Sequence, residues 1–446
     1  MADILAALGP SPTPDELSEV AGNRAKEKLD KYLSDASGAG ICSVKFNALP
    51  EYSKSDVIMG THLGKGSFSD AFEVTLKMKE DKPRATAESL NNDAEDLEAI
   101  FANLETKFSG PVAAPVSHAR TSSDINGGRQ RRPARRNSAL SASVCVGSLS
   151  SQAPAARRPG DRTLTLAMKC LRPQIRSNPE QFLIGVEDLV HETAMLASLD
   201  HLHIIKLHGR ASGNLTNAFK LGDGYFILLD RLKDTLDDRL GRWKKNYPGG
   251  KHPPSLNQLK AATAIADALA YLHSCNIVFR DLKPANVGFD STGVLKLFDF
   301  GFAIGVEPSS ADGSNDHLLY DKCGTPRYMA PEVGLMKGYG INADVYSFGI
   351  LLWEICALKK PFAKIKSAGE FHKAVFEKGE RPKVGKKWPK NLQETATSCW
   401  STNPKDRPTM ANVKTMLTAL VRETTNNGGD ANLRKSSMFR RFTWDI

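Results

Sequence analysis

The residues whose types and spacing suit chemistry lie in a few short segments. In Phe279-Arg280-Asp281-Leu282-Lys283-Pro284-Ala285-Asn286-Val287, an acid, an ammonium and an amide follow one another at close spacing, and Asp299-Phe300-Gly301 comes thirteen residues after Asn286. Asp281 can accept a proton from an alcohol, and Lys283 can meet a phosphate as it is transferred. Asn286 and Asp299 offer hard oxygen ligands for magnesium. Upstream, Lys169 closes the run Leu166-Ala167-Met168-Lys169, and a lysine in a buried strand is costly unless paired. Glu192 is its expected partner: in the helix that follows, Met195, Leu196 and Leu199 take the core side and leave Glu192 towards the strand, with Glu187 as the competing candidate. Gly64-Lys65-Gly66-Ser67-Phe68-Ser69 reads as a turn where missing Cβ atoms let backbone N–H groups approach a phosphate. Holding a triphosphate, neutralising it with a metal and deprotonating a hydroxyl are what phosphoryl transfer requires.

Elements that position these groups are legible around them. Residues 56–76 alternate as a hairpin with the glycines at its turn, and 163–169 read as a strand. A helix is expected over about 186–199, further strands over 203–230, and mainly helix from 256 onward apart from short strands near 287 and 294–298. This is an α+β pattern. Before it, residues 13–34 form an amphipathic helix opened by Thr13, Pro14 and Glu16 as a capping box. Its single apolar stripe suits packing on the body of the protein better than docking a partner. Residues 77–162 are acidic at first and then rich in Ser, Ala, Pro, Gly and Arg, a composition expected to stay largely disordered. The expected organisation is an extension at 1–55, a catalytic domain at 56–422 carrying the insert, and a polar tail at 423–446.

Composition narrows the function classes. Apolar residues are 41% and charged residues 25%, as in soluble globular proteins. The formal net charge is +10, but Lys107–Arg162 alone holds ten Lys/Arg against two Asp. The excess belongs to the insert, where few aromatics interleave with the arginines, so nucleic acid is not an expected partner. Seven scattered cysteines without a CxxC pair suggest neither a disulfide framework nor a zinc site, and a reducing compartment, cytoplasm or nucleus, is expected. No secretory signal is visible, and the longest apolar stretch, Phe348 to Leu358, is broken by Glu354 and too short to span a bilayer.

These segments resemble those of the eukaryotic protein kinase superfamily, serine/threonine type, closest to the tyrosine-kinase-like group. The resemblance covers 56–76 and 163 to about 420. It extends to Cys323-Gly324-Thr325-Pro326-Arg327-Tyr328-Met329-Ala330-Pro331-Glu332, to Asp344-Val-Tyr-Ser-Phe-Gly349, and to Trp400, Pro404 and Arg407-Pro408, with Arg407 expected to pair with Glu332. It implies a bilobal fold, with a small β-rich N-lobe holding one main helix and a larger, mainly helical C-lobe. It implies ATP and Mg2+ as cofactors and protein hydroxyls as substrates. The implied catalytic residues are Asp281, Lys283, Lys169 and Glu192, with Asn286 and Asp299 on the metal. ATP would meet Leu63, Gly64, Gly66, Val74, Ala167 and Lys169, with Leu229 as gatekeeper and Asp230 to Leu232 as the hinge. Lys283 and Gly324-Thr325 point to serine/threonine rather than tyrosine substrates.

Three features depart from the family pattern. Ser69 stands at the third glycine of the phosphate loop, Phe279 replaces the usual histidine before Arg280, and the insert falls between the second and third strands. Phe279 is expected to stack beneath Phe300, with a residue such as Leu196 in the same apolar column. The two substitutions, Ser69 and Phe279, keep open an alternative, a catalytically weak pseudokinase that acts as a scaffold by protein binding through residues 1–55 and the insert. Arg135-Arg136-Asn137-Ser138, and Arg434-Lys435-Ser436-Ser437 and Arg440-Arg441-Phe442-Thr443 in the tail, look like substrates of basophilic kinases. Arg280 beside Asp281 suggests an activation segment ordered by phosphate from an upstream kinase, with Ser309, Ser310, Ser314 and Tyr320 in range and Thr325 reserved for the catalytic loop.

Overall fold

A computed structural model describes residues 12–34, 45–77, 164–219, 224–246, 253–306 and 318–426. The expectations for the insert, the basic serine and threonine sites and Ser309, Ser310 and Ser314 lie outside these residues.

The first element among the described residues is helix α1 (Pro14–Ser34). Its start is set by the capping box the sequence announces: Thr13 N donates to Glu16 Oε2 at 2.8 Å, and Glu16 N donates to Thr13 Oγ1 at 3.3 Å. Then come strands β1 (Glu51–Tyr52), β2 (Val57–Lys65), β3 (Ser69–Leu76) and β4 (Thr165–Leu171) and helix α2 (Pro179–Ser198). Strands β5 (Leu207–Ala211) and β6 (Phe226–Asp230) complete a six-stranded sheet in the order β1-β5-β6-β4-β3-β2. Every neighbour is antiparallel except β1, which lies parallel to β5. That strand belongs to the expected 1–55 extension, and sequence reading missed it because two residues carry no periodicity. Its seat is made by Gly209, where a Cβ would come within 2.5 Å of the Tyr52 ring.

Helix α2 begins seven residues before the expected 186. Asn178 caps it, accepting from Gln181 N at 3.0 Å, and Pro179 sits in its first turn. Phe182, Leu183 and Val186 extend its buried face through the added turns.

The chain leaves the sheet through β7 (Leu232–Thr235) and enters the helical part: α3 (Leu236–Asn246), α4 (Leu256–Ser274), α5 (Asn342–Ala357), α6 (Lys390–Cys399) and α7 (Met410–Asn426). From Ala343 to Ala357 every residue of α5 is buried, so it is the axis of this part, with α4 and α6 packed on it and α7 on α4. Short strands β8 (Ile277–Val278), β9 (Val287–Asp290), β10 (Leu295–Leu297) and β11 (Ile304–Gly305) lie on its upper side. There β10-β9-β7 form one small sheet and β11-β8 another, and the chemistry-bearing loops are strung between them. Among the described residues no helix is long and apolar enough to cross a membrane.

Candidate active site

A cleft runs beneath the six-stranded sheet, lined by Leu63, Gly64 and Gly66 from β2 and its turn, Ala71 from β3, Ala167 and Lys169 from β4, and Leu229, Asp230 and Leu232 where β6 passes into β7; Glu192 and Asp299 close its inner end. Nine of the ten positions the resemblance assigned to ATP, Arg231 included, are among the cleft's lining residues. Val74 is not. Side chains alternate along a strand, and the register pairs Ala71 with Lys169 and Glu73 with Ala167, while Val74 pairs with Leu166 and Phe72 with Met168. Val74 is therefore buried with Leu166 on the opposite face, and Ala71 holds the cleft position. A small alanine gives no apolar signal of its own; only counting in twos from Lys169 finds it.

Lys169 reaches the inner end because β4 points it there beside Ala71. Its Nζ donates to Glu192 Oε2 at 2.6 Å and to Asp299 Oδ1 at 3.2 Å. Glu192 Oε1 also accepts from Phe300 N at 3.4 Å. Glu187, the competing candidate, faces away and pairs with Arg24 and Lys28 of α1. Burial opposes the charge on Lys169, but the Glu192 and Asp299 carboxylates raise its pKa well above the ordinary lysine range. Burial alone would raise Asp299, yet the Lys169 and Lys283 ammonium groups hold its carboxyl below its usual range. The cleft thus presents a fixed cation and a fixed anion.

The segment 279–286 is shaped from beneath. Asp344, in the first turn of α5, accepts from Phe279 N at 2.7 Å, from Arg280 N at 2.9 Å and from His273 Nε2 at 3.1 Å. These bonds hold Arg280 at φ 69°, a left-handed conformation that a non-glycine residue keeps only when its surroundings enforce it. The Phe279 ring meets Phe300 edge to face at a centroid separation of 5.1 Å, so the phenyl group that replaces histidine joins the apolar column. Leu196 is buried as well. Asp281 is then presented with both carboxylate oxygens engaged. Its Oδ1 accepts from Thr325 N at 2.9 Å and Thr325 Oγ1 at 2.7 Å, and its Oδ2 accepts from Lys283 Nζ at 2.6 Å and Asn286 Nδ2 at 3.1 Å. Gly324 makes the Thr325 approach possible: its φ is +93°, and a Cβ there would lie 2.3 Å from the Arg280 carbonyl oxygen.

Asn286 Nδ2 donates to the Asp281 carbonyl at 2.9 Å as well, which fixes the amide so that its Oδ1 is buried without a hydrogen-bond partner. An orphaned buried oxygen of this kind is costly unless a cation or donor completes it. Asn286 Oδ1 and the Asp299 carboxylate are hard-oxygen donors of the kind that suits Mg2+, which takes one or two such ligands and fills its other positions with phosphate and water.

The segment after Asp299 returns to Arg280. Arg280 Nε donates to the Phe302 carbonyl at 2.5 Å, and Nη1 donates to Asp321 Oδ1 and Oδ2 at 3.0 and 2.9 Å. Tyr339 OH donates to Asp321 Oδ1 at 2.9 Å. A carboxylate thus occupies the place expected for a phosphate, while Tyr320 is exposed. Sequence reading passed over Asp321 because its pairing spans 41 residues. Farther down, Arg407 Nη1 and Nη2 clamp the two oxygens of Glu332 at 2.5 and 2.9 Å, the pair anticipated from sequence.

Residues 151–417, more than half of the chain, match the family described as protein kinase domain. The chain belongs to that family. The match begins within the insert, and the structure joins β2 and β3, which precede it, to β4 of the matched region. The chain is 38% identical over 260 residues to serine/threonine-protein kinase STY17 of Arabidopsis thaliana, covering 58% of this chain and 41% of that one. It is 30% identical over 255 residues to mitogen-activated protein kinase kinase kinase 7 of Drosophila melanogaster, 55% of this chain and 34% of the relative. It is 32% identical over 184 residues to dual specificity protein kinase shkE of Dictyostelium discoideum, 40% and 25% respectively. In each case the match spans less than half of the relative's own length. These similarities agree with the tyrosine-kinase-like group.

Proposed function

We propose that the chain is an active protein kinase, transferring the γ-phosphate of ATP to serine or threonine hydroxyls of proteins inside the cell, in signalling. The observation that carries this reading is the Asp281 constellation: a buried carboxylate oriented by Thr325, flanked by Lys283, beside the buried Asn286 amide oxygen that has no hydrogen-bond partner. A scaffold without catalysis has no use for that oxygen or for the Lys169–Glu192–Asp299 triad.

The roles follow from the contacts. Leu63, Ala71, Ala167 and Leu232 frame the adenine, and Gly64 and Gly66 let the turn approach the phosphates. Lys169 holds phosphate oxygens from a position fixed by Glu192. Asn286 and Asp299 would hold Mg2+, which neutralises the phosphate charge when bound. Thr325 aligns Asp281 through Oδ1, leaving Oδ2 for the incoming alcohol. In the free protein Lys283 covers that oxygen at 2.6 Å. Turning the Lys283 ammonium onto the transferring phosphate frees one lone pair of Oδ2, Asn286 Nδ2 keeping its place at 3.1 Å, so the base becomes available as the substrate is engaged. Attack by the hydroxyl oxygen on phosphorus expels ADP, and the hydroxyl proton passes to Asp281.

The serine/threonine preference rests on Lys283 and Thr325, both in contact with Asp281. A degenerate peptide library assayed with MgATP tests it. Labelling of serine and threonine peptides is expected, whereas labelling of tyrosine alone, or of nothing by folded protein, would overturn it.

A further inference from the structure

Helix α1 lies against the helix that supplies Glu192. Leu17, Ala21, Ala25 and Leu29, spaced by roughly one helical turn, are all buried, with Ser18 beside them, and α1 packs on α2 and on the short turn Leu215–Ala218. Small residues in this stripe bring the two helix backbones close. Arg24 Nε donates to Glu187 Oε1 at 2.8 Å with Nη2 on the same oxygen, and Lys28 Nζ donates to Glu187 Oε2 at 3.3 Å, so both carboxylate oxygens are held. Burial would raise the Glu187 carboxyl, but the hydrogen bonds and charges from Arg24 and Lys28 bring it below its ordinary value.

Glu187 sits five residues before Glu192 on the same helix. Between them, His191 Nε2 lies 2.7 Å from the carbonyl oxygen of Ala303; a carbonyl only accepts, so Nε2 carries the proton. One rigid helix therefore connects α1 to both sides of the cleft, to Lys169 through Glu192 and to the segment after Asp299 through His191. Arg24 and Lys28 touch neither nucleotide nor metal site, yet they fix the helix on which the Lys169 partner rides.

We infer that α1 is a clamp built into this chain, and that Arg24 and Lys28 are positioning residues which hold α2 where Glu192 meets Lys169. The apolar face of α1 is occupied by α2, so it is not left for another protein. The inference rests on the proposed kinase reading for its kinetic consequence, but not for its structural one.

The test uses the full chain with Arg24→Glu and Lys28→Glu together, assayed with MgATP and a serine peptide well below each variant's melting transition. Reversing the charges opposite Glu187 is expected to lower kcat about five- to tenfold, a typical coupling between sites, with peptide KM unchanged. Adding Glu187→Arg restores most of the loss. In a Glu192→Gln background the same pair of substitutions costs less than about twofold more, because the contact they protect is already gone. Amide hydrogen exchange over 179–198 rises in the double variant and falls again in the charge-swapped one. Unchanged kcat and unchanged exchange would overturn the clamp, as would a loss that adds in full on Glu192→Gln. Should the wild-type chain transfer no phosphate, the kinase reading fails while the exchange measurement still decides the clamp.

Discussion

Asp321→Asn isolates the contact that replaces an expected phosphate. The substitution keeps the side chain's shape and removes its charge and one of the two oxygens that pair with Arg280 at 3.0 and 2.9 Å, leaving a single neutral acceptor for Arg280 and Tyr339 to share. A hydrogen bond to a charged group contributes about 1.5–3 kcal/mol. The Asp321 side chain is 57% exposed, so solvent screening brings the pairing nearer to about 1 kcal/mol. Arg280 keeps its bond to the Phe302 carbonyl, and Asp344 still holds its backbone, so the catalytic segment itself stays in place. What weakens is the hold on the segment around Cys323 to Thr325, which presents Thr325 to Asp281. A shift of about 1 kcal/mol in that ordering lowers kcat roughly fivefold. The assay is steady-state peptide phosphorylation by wild type and Asp321→Asn, each before and after phosphatase treatment. Wild type is expected to keep its activity after treatment and the variant to show the loss in both conditions. Full activity in Asp321→Asn, or collapse of the wild type on dephosphorylation, would show that the Asp321 carboxylate does not stand in for a phosphate.

Two further outcomes follow from buried charges. Arg407→Met leaves Glu332 buried without its bidentate partner, and breaking a buried pair costs about 3–5 kcal/mol, read as a lower denaturant midpoint; an unchanged midpoint would refute it. Glu187 has a folded pKa below its ordinary value of 4.5, so its contribution is present above about pH 4.5 and is lost as pH falls through the lower folded value. Glu187→Gln is therefore expected to lose stability near neutral pH and to lack that part of the acid slope, and a slope identical to wild type would count against the Arg24 and Lys28 pairing.

Much of the site was legible because its chemistry is local in sequence. Asp281, Lys283 and Asn286 fall within six positions, and Asp299 follows just past the next short hairpin. Glu192 was separable from Glu187 because helical phase gives Met195, Leu196 and Leu199 the core side and turns Glu192 towards the strand that carries Lys169. Legibility failed where the signal is a count or a distant pair. Val74 has the β propensity that Ala71 lacks, but the parity set by Lys169 puts Ala71 in the cleft. The start of α2 carried a usable mark in Asn178-Pro179, overshadowed by the stronger apolar periodicity beyond 186. Parallel pairing of β1 with β5 and the Arg280–Asp321 contact join residues far apart in the chain, and nothing in their local sequence announces a partner.

Asp281 is the proposed acceptor of the hydroxyl proton, and Asp281→Asn tests that role most directly. Asparagine keeps the hydrogen-bonding shape and removes the base, so MgATP-dependent peptide phosphorylation should fall by about two to four orders of magnitude while a fluorescent ATP analogue binds as it does to wild type. Turnover retained by Asp281→Asn within a few fold of wild type would contradict the account.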